Sequence, residues 1–314
     1  MAQNMNALTS RAIQGMFFNA LISVMGASWA MAVSHYNGNS DQNSEQYAQL
    51  GATPQFNEWI GGRNVKTLDP KTLTIANVKY EATLADYADN FKYDKTGQMR
   101  NKVNGFARRS VTHWAKLLTA ALRLGTSTAG ADGQTFFSAN HHGSQNNLLT
   151  ASDNSLLNVA APTNPTAVEM ANVIGACIAI MQGWVDDADE PLNEEAAKFL
   201  IVVPPNMGFV AQQAATKASF TGGADNPIFD ANFEVEIAVN ARLNASGEDD
   251  DFYIFRTDGD TRAAVLQEQE GIKLSSKAEG SDFEHDTDMW EFGAKAVRGV
   301  GLYNWENAAK VTLS

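Results

Sequence analysis

The side chains of this 314-residue chain that could do chemistry are few: five histidines, one cysteine and several short acidic clusters. His141-His142 is the only adjacent histidine pair, and imidazole serves both as a metal ligand and as a general base. A metal site needs further histidine or carboxylate ligands held nearby, and two histidines adjacent in sequence do not readily face one ion. A polar loop with surface histidines is the favoured reading, and His285-Asp286-Thr287-Asp288 is read the same way. Glu248 to Asp251 and Asp258-Gly259-Asp260 resemble calcium loops but lack the twelve-residue spacing with a closing glutamate, so solvated turns are expected. Asp186, Asp187, Asp189 and Glu190 follow Trp184 as an acidic run with no identifiable acid–base partner. Cys177 lies in an apolar run and reads as a small buried side chain; as the one cysteine it excludes an intrachain disulfide and a cysteine-based zinc site. No phosphate-binding glycine loop, dinucleotide fingerprint or nucleophile elbow is present. No enzyme activity, cofactor or metal is expected.

The element that must organise the chain is Gln98 to Leu124. It opens after Asp94-Lys95-Thr96-Gly97, closes at Gly125 and contains no proline. Met99, Val103, Phe106, Trp114, Leu117, Ala121 and Leu124 recur at helical spacing, which predicts one helix about 40 Å long. Its charged residues are all basic, and Lys102, Arg109, Lys116 and Arg123 stand seven apart, away from the apolar stripe. Two readings stay open: a solvated basic face, or a spine turned toward an anionic partner. The chain as a whole has a net charge of −13, which argues against a general nucleic-acid binder.

Met16 to Val33 is largely apolar, but Asn19, Ser23, Gly26 and Ser28 dilute it and only Arg11 precedes it as a positive charge. The spacing Ile13, Phe17, Ala20, Val24, Ala27, Met31 fits a helix packed on protein, such as a neighbouring subunit, rather than one dissolved in lipid. Ser34 to Gly51 reads as a polar linker. Val65 to Leu84 reads as a long hairpin turning at Asp69-Pro70-Lys71, with Val78, Tyr80, Ala82 and Leu84 on one side. Thr166 is a candidate cap for a helix burying Val168, Ala171, Ile174, Ile178 and Met181. Phe199 to Val203 reads as a buried strand stopped by Pro204-Pro205, with a helix beginning there. Phe233 to Val239, Phe252 to Arg256, Ala263 to Leu266 and Trp290 to Asn304 have strand character. Alternating strands and helices in the central half predict an α/β layer within an α+β chain.

Tyr47 to Leu50, Glu58-Trp59-Ile60-Gly61, Ile75-Ala76-Asn77, Asp86 to Asp94, and Asp132-Gly133-Gln134-Thr135-Phe136-Phe137 followed by His141 occur in this order. Together they resemble the major head (capsid) protein family of phage Mu and its relatives, from about Arg11 to His142; the chain has His142-Gly143 where that pattern usually carries proline. The resemblance implies a Hong Kong 97-type fold: an N-terminal arm at 1–56, an extended β-hairpin loop at 57–84, a peripheral domain at 85–155 with a spine helix at 98–124, an axial domain at 156–262, and a return to the peripheral domain at 263–314. It implies subunit contacts by the arm through Ile13, Phe17, Leu21, Val24 and Trp29, and by the loop through Trp59, Ile60, Arg63, Lys66, Leu73 and Ile75. Lys102, Arg109, Lys116 and Arg123 would form an inner-face basic stripe, nearer the interior than the acidic 248–260 turns. The implied function is a virion shell assembled in the host cytoplasm from copies of itself, with a separate scaffold and a portal as partners. Packaged double-stranded DNA would be held by weak contact, and no membrane would be involved. A protein compartment of the same fold, and a hydrolase using His141/His142, are the alternatives.

Overall fold

In the computed structural model, which describes residues 9–24, 28–49, 71–94, 96–130, 132–186, 189–220, 225–226, 228–229, 233–244 and 247–314, the Asp94 carboxylate starts the longest helix. It accepts the backbone N–H groups of Gln98, Met99 and Arg100 at 3.0, 3.1 and 3.2 Å. Those are donors that a helix start leaves without intrahelical partners. Gly97 holds φ 72°, the left-handed turn that lets Asp94 fold back over the helix end. The helix runs Gln98–Leu124, the bounds read from the sequence.

In chain order the elements are α1 (Ser10–Val24), α2 (Trp29–Ala32), β1 (Ser34–Asn37), β2 (Ser44–Gln49), β3 (Lys71–Ala76), β4 (Val78–Tyr87), α3 (Ala88–Lys92), α4 (Gln98–Leu124), β5 (Leu148–Leu149), α5 (Ala167–Gln182), β6 (Lys198–Val203), α6 (Pro205–Thr216), β7 (Glu234–Val239), β8 (Asp251–Arg256), β9 (Ala264–Lys277), α7 (Asp282–Thr287), β10 (Met289–Leu302) and β11 (Ala308–Thr312). They form a four-stranded sheet in the order β1-β9-β10-β4, a five-stranded sheet in the order β5-β11-β8-β6-β7, and the two-stranded ribbon β2-β3. None of the described helices is long and apolar enough to cross a membrane.

The four-stranded sheet is built on the β9–β10 hairpin, extended by β4, which pairs with β10 from Tyr87↔Met289 to Val78↔Arg298. Ile13, Phe17 and Leu21 on α1 meet Met99, Val103, Ala107 and Val111 on α4 and Trp290 and Phe292 on β10 in one buried cluster. In the five-stranded sheet, β8 and β6 are buried on both faces, and α5 and α6 cover it. Thr166 and Glu169 cap α5 reciprocally, and Pro205 opens α6 at its first turn, where a missing N–H costs nothing. The lower half of α4, through Trp114, Leu118 and Leu122, belongs to this second core.

Several expectations are corrected. The α4 row facing the cores is Met99, Val103, Ala107, Val111, Trp114, Leu118 and Leu122; Leu124 is exposed, because the helix outlasts the surfaces it packs on. Val168 is exposed too, on the outer side of α5. The supposed linker 34–51 supplies two strands, and β3 pairs with β2 of that segment, not with the stretch ending at Leu84. Glycine explains where this ribbon sits: a Cβ at Gly301 would stand 2.5 Å from Ile75 Cδ1, and one at Gly299 2.7 Å from the Ala76 carbonyl. The absence of side chains at this end of β10 therefore lets β3 approach. The turn at Asp69-Pro70 lies outside the described residues. Within 263–314, β9 and β10 join the four-stranded sheet, whereas β11 joins the five-stranded one, beside β8 and β5.

Asp94→Ala leaves three helix N–H groups without their acceptor. Loss of a helix cap costs about 1 kcal/mol, to be read as a lower denaturant midpoint at unchanged slope.

Candidate functional site

The histidine pair divides. His141 is buried and His142 exposed. His141 Nδ1 lies 2.6 Å from Asp132 Oδ2 and Nε2 3.1 Å from Asn147 Oδ1, while its ring stacks on Trp305 at 4.1 Å. Asn147 is itself fixed: its amide donates to the Phe136 and Ala308 carbonyls, and its oxygen accepts the Ser138 N–H. Both imidazole nitrogens thus face side-chain oxygens, one of Asp132 and one of Asn147. Burial alone would raise the Asp132 carboxyl, but the hydrogen bond and charge of His141, with the Gln134 N–H, hold it below its usual value. Burial pushes the neighbouring Glu306 carboxyl up to about 7. This cluster has an acid, a base and an amide, yet each is consumed in tying the 132–147 loop to β11. It is a clasp rather than a reactive centre.

The acidic turns are also corrected. Asp251 is buried against Lys310 at 2.7 Å. Asp258 binds Arg256 at 2.8 Å and accepts the Ala197 and Lys198 N–H groups at 2.6 and 3.2 Å. Burial acts to raise the Asp258 carboxyl, but the Arg256 and N–H contacts outweigh it and hold it below its usual value. Both are anchors for strand ends rather than solvated loops. In the 186–190 run, Asp186 accepts the Glu190 N–H within a turn; residues 187 and 188 lie outside the described set. His285 is exposed beside Asp286. Cys177 is fully buried, and burial pushes its thiol up. Among the described residues, no three His, Cys, Asp or Glu side chains converge as metal ligands.

Within the single chain the expected arm and loop residues take unequal places. Ile13, Phe17 and Leu21 are covered by their own chain, because the row that fits a partner's apolar surface fits α4 equally well. Trp29 is half-buried against the second core. The outward face of α1 carries Phe18 and Ile22, 38% and 70% exposed, which the helical rhythm had passed over. Leu73 is half-buried and Ile75 buried, both near Gly301 of β10. The Val24 side chain and Trp59, Ile60, Arg63 and Lys66 lie outside the described residues.

Lys102, Arg109 and Lys116 are exposed and have no acid partner among the described residues. Arg123 does: its Nε donates to Glu248 at 2.8 Å. The stripe's last member is thus tied to the very acidic turn from which it was expected to stand apart. The first three border a cleft of about 950 Å³ between α4 and the β4–β10 face, which Arg242 and Arg298 also line. His113 sits there edge-on to Tyr80 at 4.5 Å. Burial, then the charges of Arg298, Lys116 and Arg242, lower it to about 4. Arg242 was not legible as a member, since it arrives from a turn far along the chain.

Glu306 yields a pH prediction. Its native value of about 7 exceeds the ordinary 4.5, so the folded chain binds more protons than the unfolded one between those values. Stability contributed by the neutral carboxyl is present below pH 4.5 and lost as pH rises to 7. Glu306→Gln has no proton to lose, and its melting temperature at pH 8 should exceed that of the parent, with the advantage gone at pH 4.

The family model described as Mu-like prophage major head subunit gpT matches residues 9–167, just over half of the chain. The major capsid protein of Escherichia phage Mu is 30% identical over 115 residues, 35% of this chain; the chain spans only 38% of that protein. The procapsid of bacteriophage JBD30 matches 97% of this chain and 75% of its own, with TM-score 0.52 and 18% identity. The mature capsid of bacteriophage PhiM1 matches 92% and 88%, with TM-score 0.54 and 14% identity. At such identities the solved structures speak for the fold, which is the Hong Kong 97 type. The span matched by the family model takes in α1, α4 and the His141 clasp, and on that match the chain belongs to the Mu-like prophage major head subunit family.

Proposed function

We propose that this chain is the major capsid protein of a tailed bacteriophage or prophage, assembling into hexamers and pentamers of an icosahedral head around double-stranded DNA. The observation that carries this is the family match across the arm helix, the long helix and the clasp. It agrees with a molecule whose buried polar groups are structural. The work is done by geometry rather than catalysis: head-to-tail contacts close rings, and further contacts join rings into a shell. In that shell α4 and the four-stranded sheet form the peripheral part, and the five-stranded sheet, now including β5 and β11, the axial part.

The arm contact surface is assigned to Phe18 and Ile22, since Ile13, Phe17 and Leu21 are used internally. The loop around Trp59, Ile60, Arg63 and Lys66 supplies the second contact, with Leu73 and Ile75 rooting it on β10. Many modest contacts per subunit add up to a stable shell. The net charge of −13 makes an acidic wall, so packaged DNA is held weakly and without sequence preference. A separate scaffold protein and a portal complete the set of partners.

Expressed alone and imaged by negative-stain electron microscopy, the chain should give closed shells; a soluble monomer at high concentration would refute the reading. Ile22→Asp alters a position 70% exposed, where effects on monomer stability stay within about 0.5 kcal/mol. Shell formation should nevertheless be lost.

A further inference from the structure

With 36 acidic and 23 basic residues, this chain has carboxylates to spare for its cations. On the four-stranded sheet most are used: Arg298 pairs with Glu268 at 2.8 Å, Lys295 with Glu270 at 2.7 Å, Lys277 with Glu291 at 3.4 Å and Lys92 with Glu284 at 3.0 Å. Lys102, Arg109, Lys116 and Arg242 have no such partner among the described residues, although all four line one cleft. One carboxylate, Glu81, also lines it, and it accepts the Thr83 hydroxyl at 3.1 Å. Lys102 to Lys116 covers about 21 Å of helix. Half-buried His113 is lowered first by burial and then by the charges of Arg298, Lys116 and Arg242, three cations that line the same cleft.

The opposite charge lies at the far end of the same sheet. The connection between β9 and β10 carries Asp282, Asp286 and Asp288, all exposed and none in an ion pair with Lys or Arg among the described residues; Asp286 touches His285, and Asp288 lies within the field of Lys92. Ten residues of β10 separate Asp288 from Arg298 at the cleft, roughly 30 Å of strand. A subunit cannot reach its own Lys116–Arg242 end with this tip, which leaves it free for another copy. A helix-and-sheet cleft of about 950 Å³ admits a short peptide turn rather than a duplex.

Resting on the shell reading, we propose that the cleft between α4 and the β4–β10 face receives the acidic β9–β10 tip of a neighbouring copy. This is a heterologous contact held and registered by charge complementarity.

Zero-length carbodiimide crosslinking followed by peptide mass spectrometry tests it. Assembled particles should yield Lys116 joined to Asp282, Asp286 or Asp288, a link that is too long within one chain and should be missing from unassembled subunits. Arg109→Glu, Lys116→Glu and Arg242→Glu together should reduce shell yield at least tenfold, with circular dichroism unchanged. Adding Asp282→Lys, Asp286→Lys and Asp288→Lys to that variant should restore it. Particles without the Lys116 link, a cleft variant that assembles normally, or no rescue by the double exchange would overturn the proposal. So would normal shells that hold less DNA, which would assign the cleft to nucleic acid. Wild-type chain that forms no shells at all would instead refute the shell reading itself.

Discussion

The structure depends on one helix taking part in two hydrophobic cores. Met99, Val103, Ala107 and Val111 at the upper half of α4 close the core with α1 and β10, while Trp114, Leu118 and Leu122 close the core with the five-stranded sheet. Each fully buried large apolar side chain stabilises by about 1.5–3 kcal/mol, so neither core holds without its half of the helix. The two sheets are therefore set relative to one another by a rod whose length is fixed at 1.5 Å per residue. At the lower end the rod stops against the clasp loop: a Cβ at Gly125 would stand 2.6 Å from the Phe137 ring. At the upper end Asp94 fixes its start. A subunit that must present distant edges to different neighbours needs such a rigid spacer.

The clasp secures the other long-range join. Asn147, buried completely, ties Phe136, Ser138 and Ala308, and His141 links it to Asp132 while stacking on Trp305. Satisfied networks of this kind are rigid, because each broken member leaves a buried polar group unpaired. The cost shows at Glu306, whose carboxyl is pushed up to about 7 by the same burial. Two histidines that could have been catalytic are thus accounted for, one as a strut and one as surface.

What could be read from sequence follows the range of the causes. The bounds of α4, the Thr166–Glu169 cap and Pro205 at the start of α6 are written within a few residues of where they act, and each was legible. The strand nature of Ser34–Asn37 and Ser44–Gln49 was not. These polar segments become strands by pairing with β9 and with β3, and the partner of the first lies more than two hundred residues away. The row Ile13, Phe17, Leu21 was legible as something to be buried but not as to what covers it, since periodicity names a face and no partner. Likewise Asp251 and Asp258 read as turn residues until Lys310 and the Ala197 and Lys198 N–H groups are brought beside them.

The candidate surfaces follow from the same logic. Once α1 spends its best apolar row on α4, what remains outside is a second, smaller row, Phe18 and Ile22, on a helix that is already folded. A prefolded contact pays no ordering entropy when a neighbour arrives, so a small patch is enough. The same holds for the cleft. Lys102, Arg109 and Lys116 stand on a helix pinned at both ends, so their spacing is set before any anion approaches. Arg123, two turns further along the same stripe, is already neutralised by Glu248. That pairing marks where the subunit's internal electrostatics ends and the part left for other molecules begins.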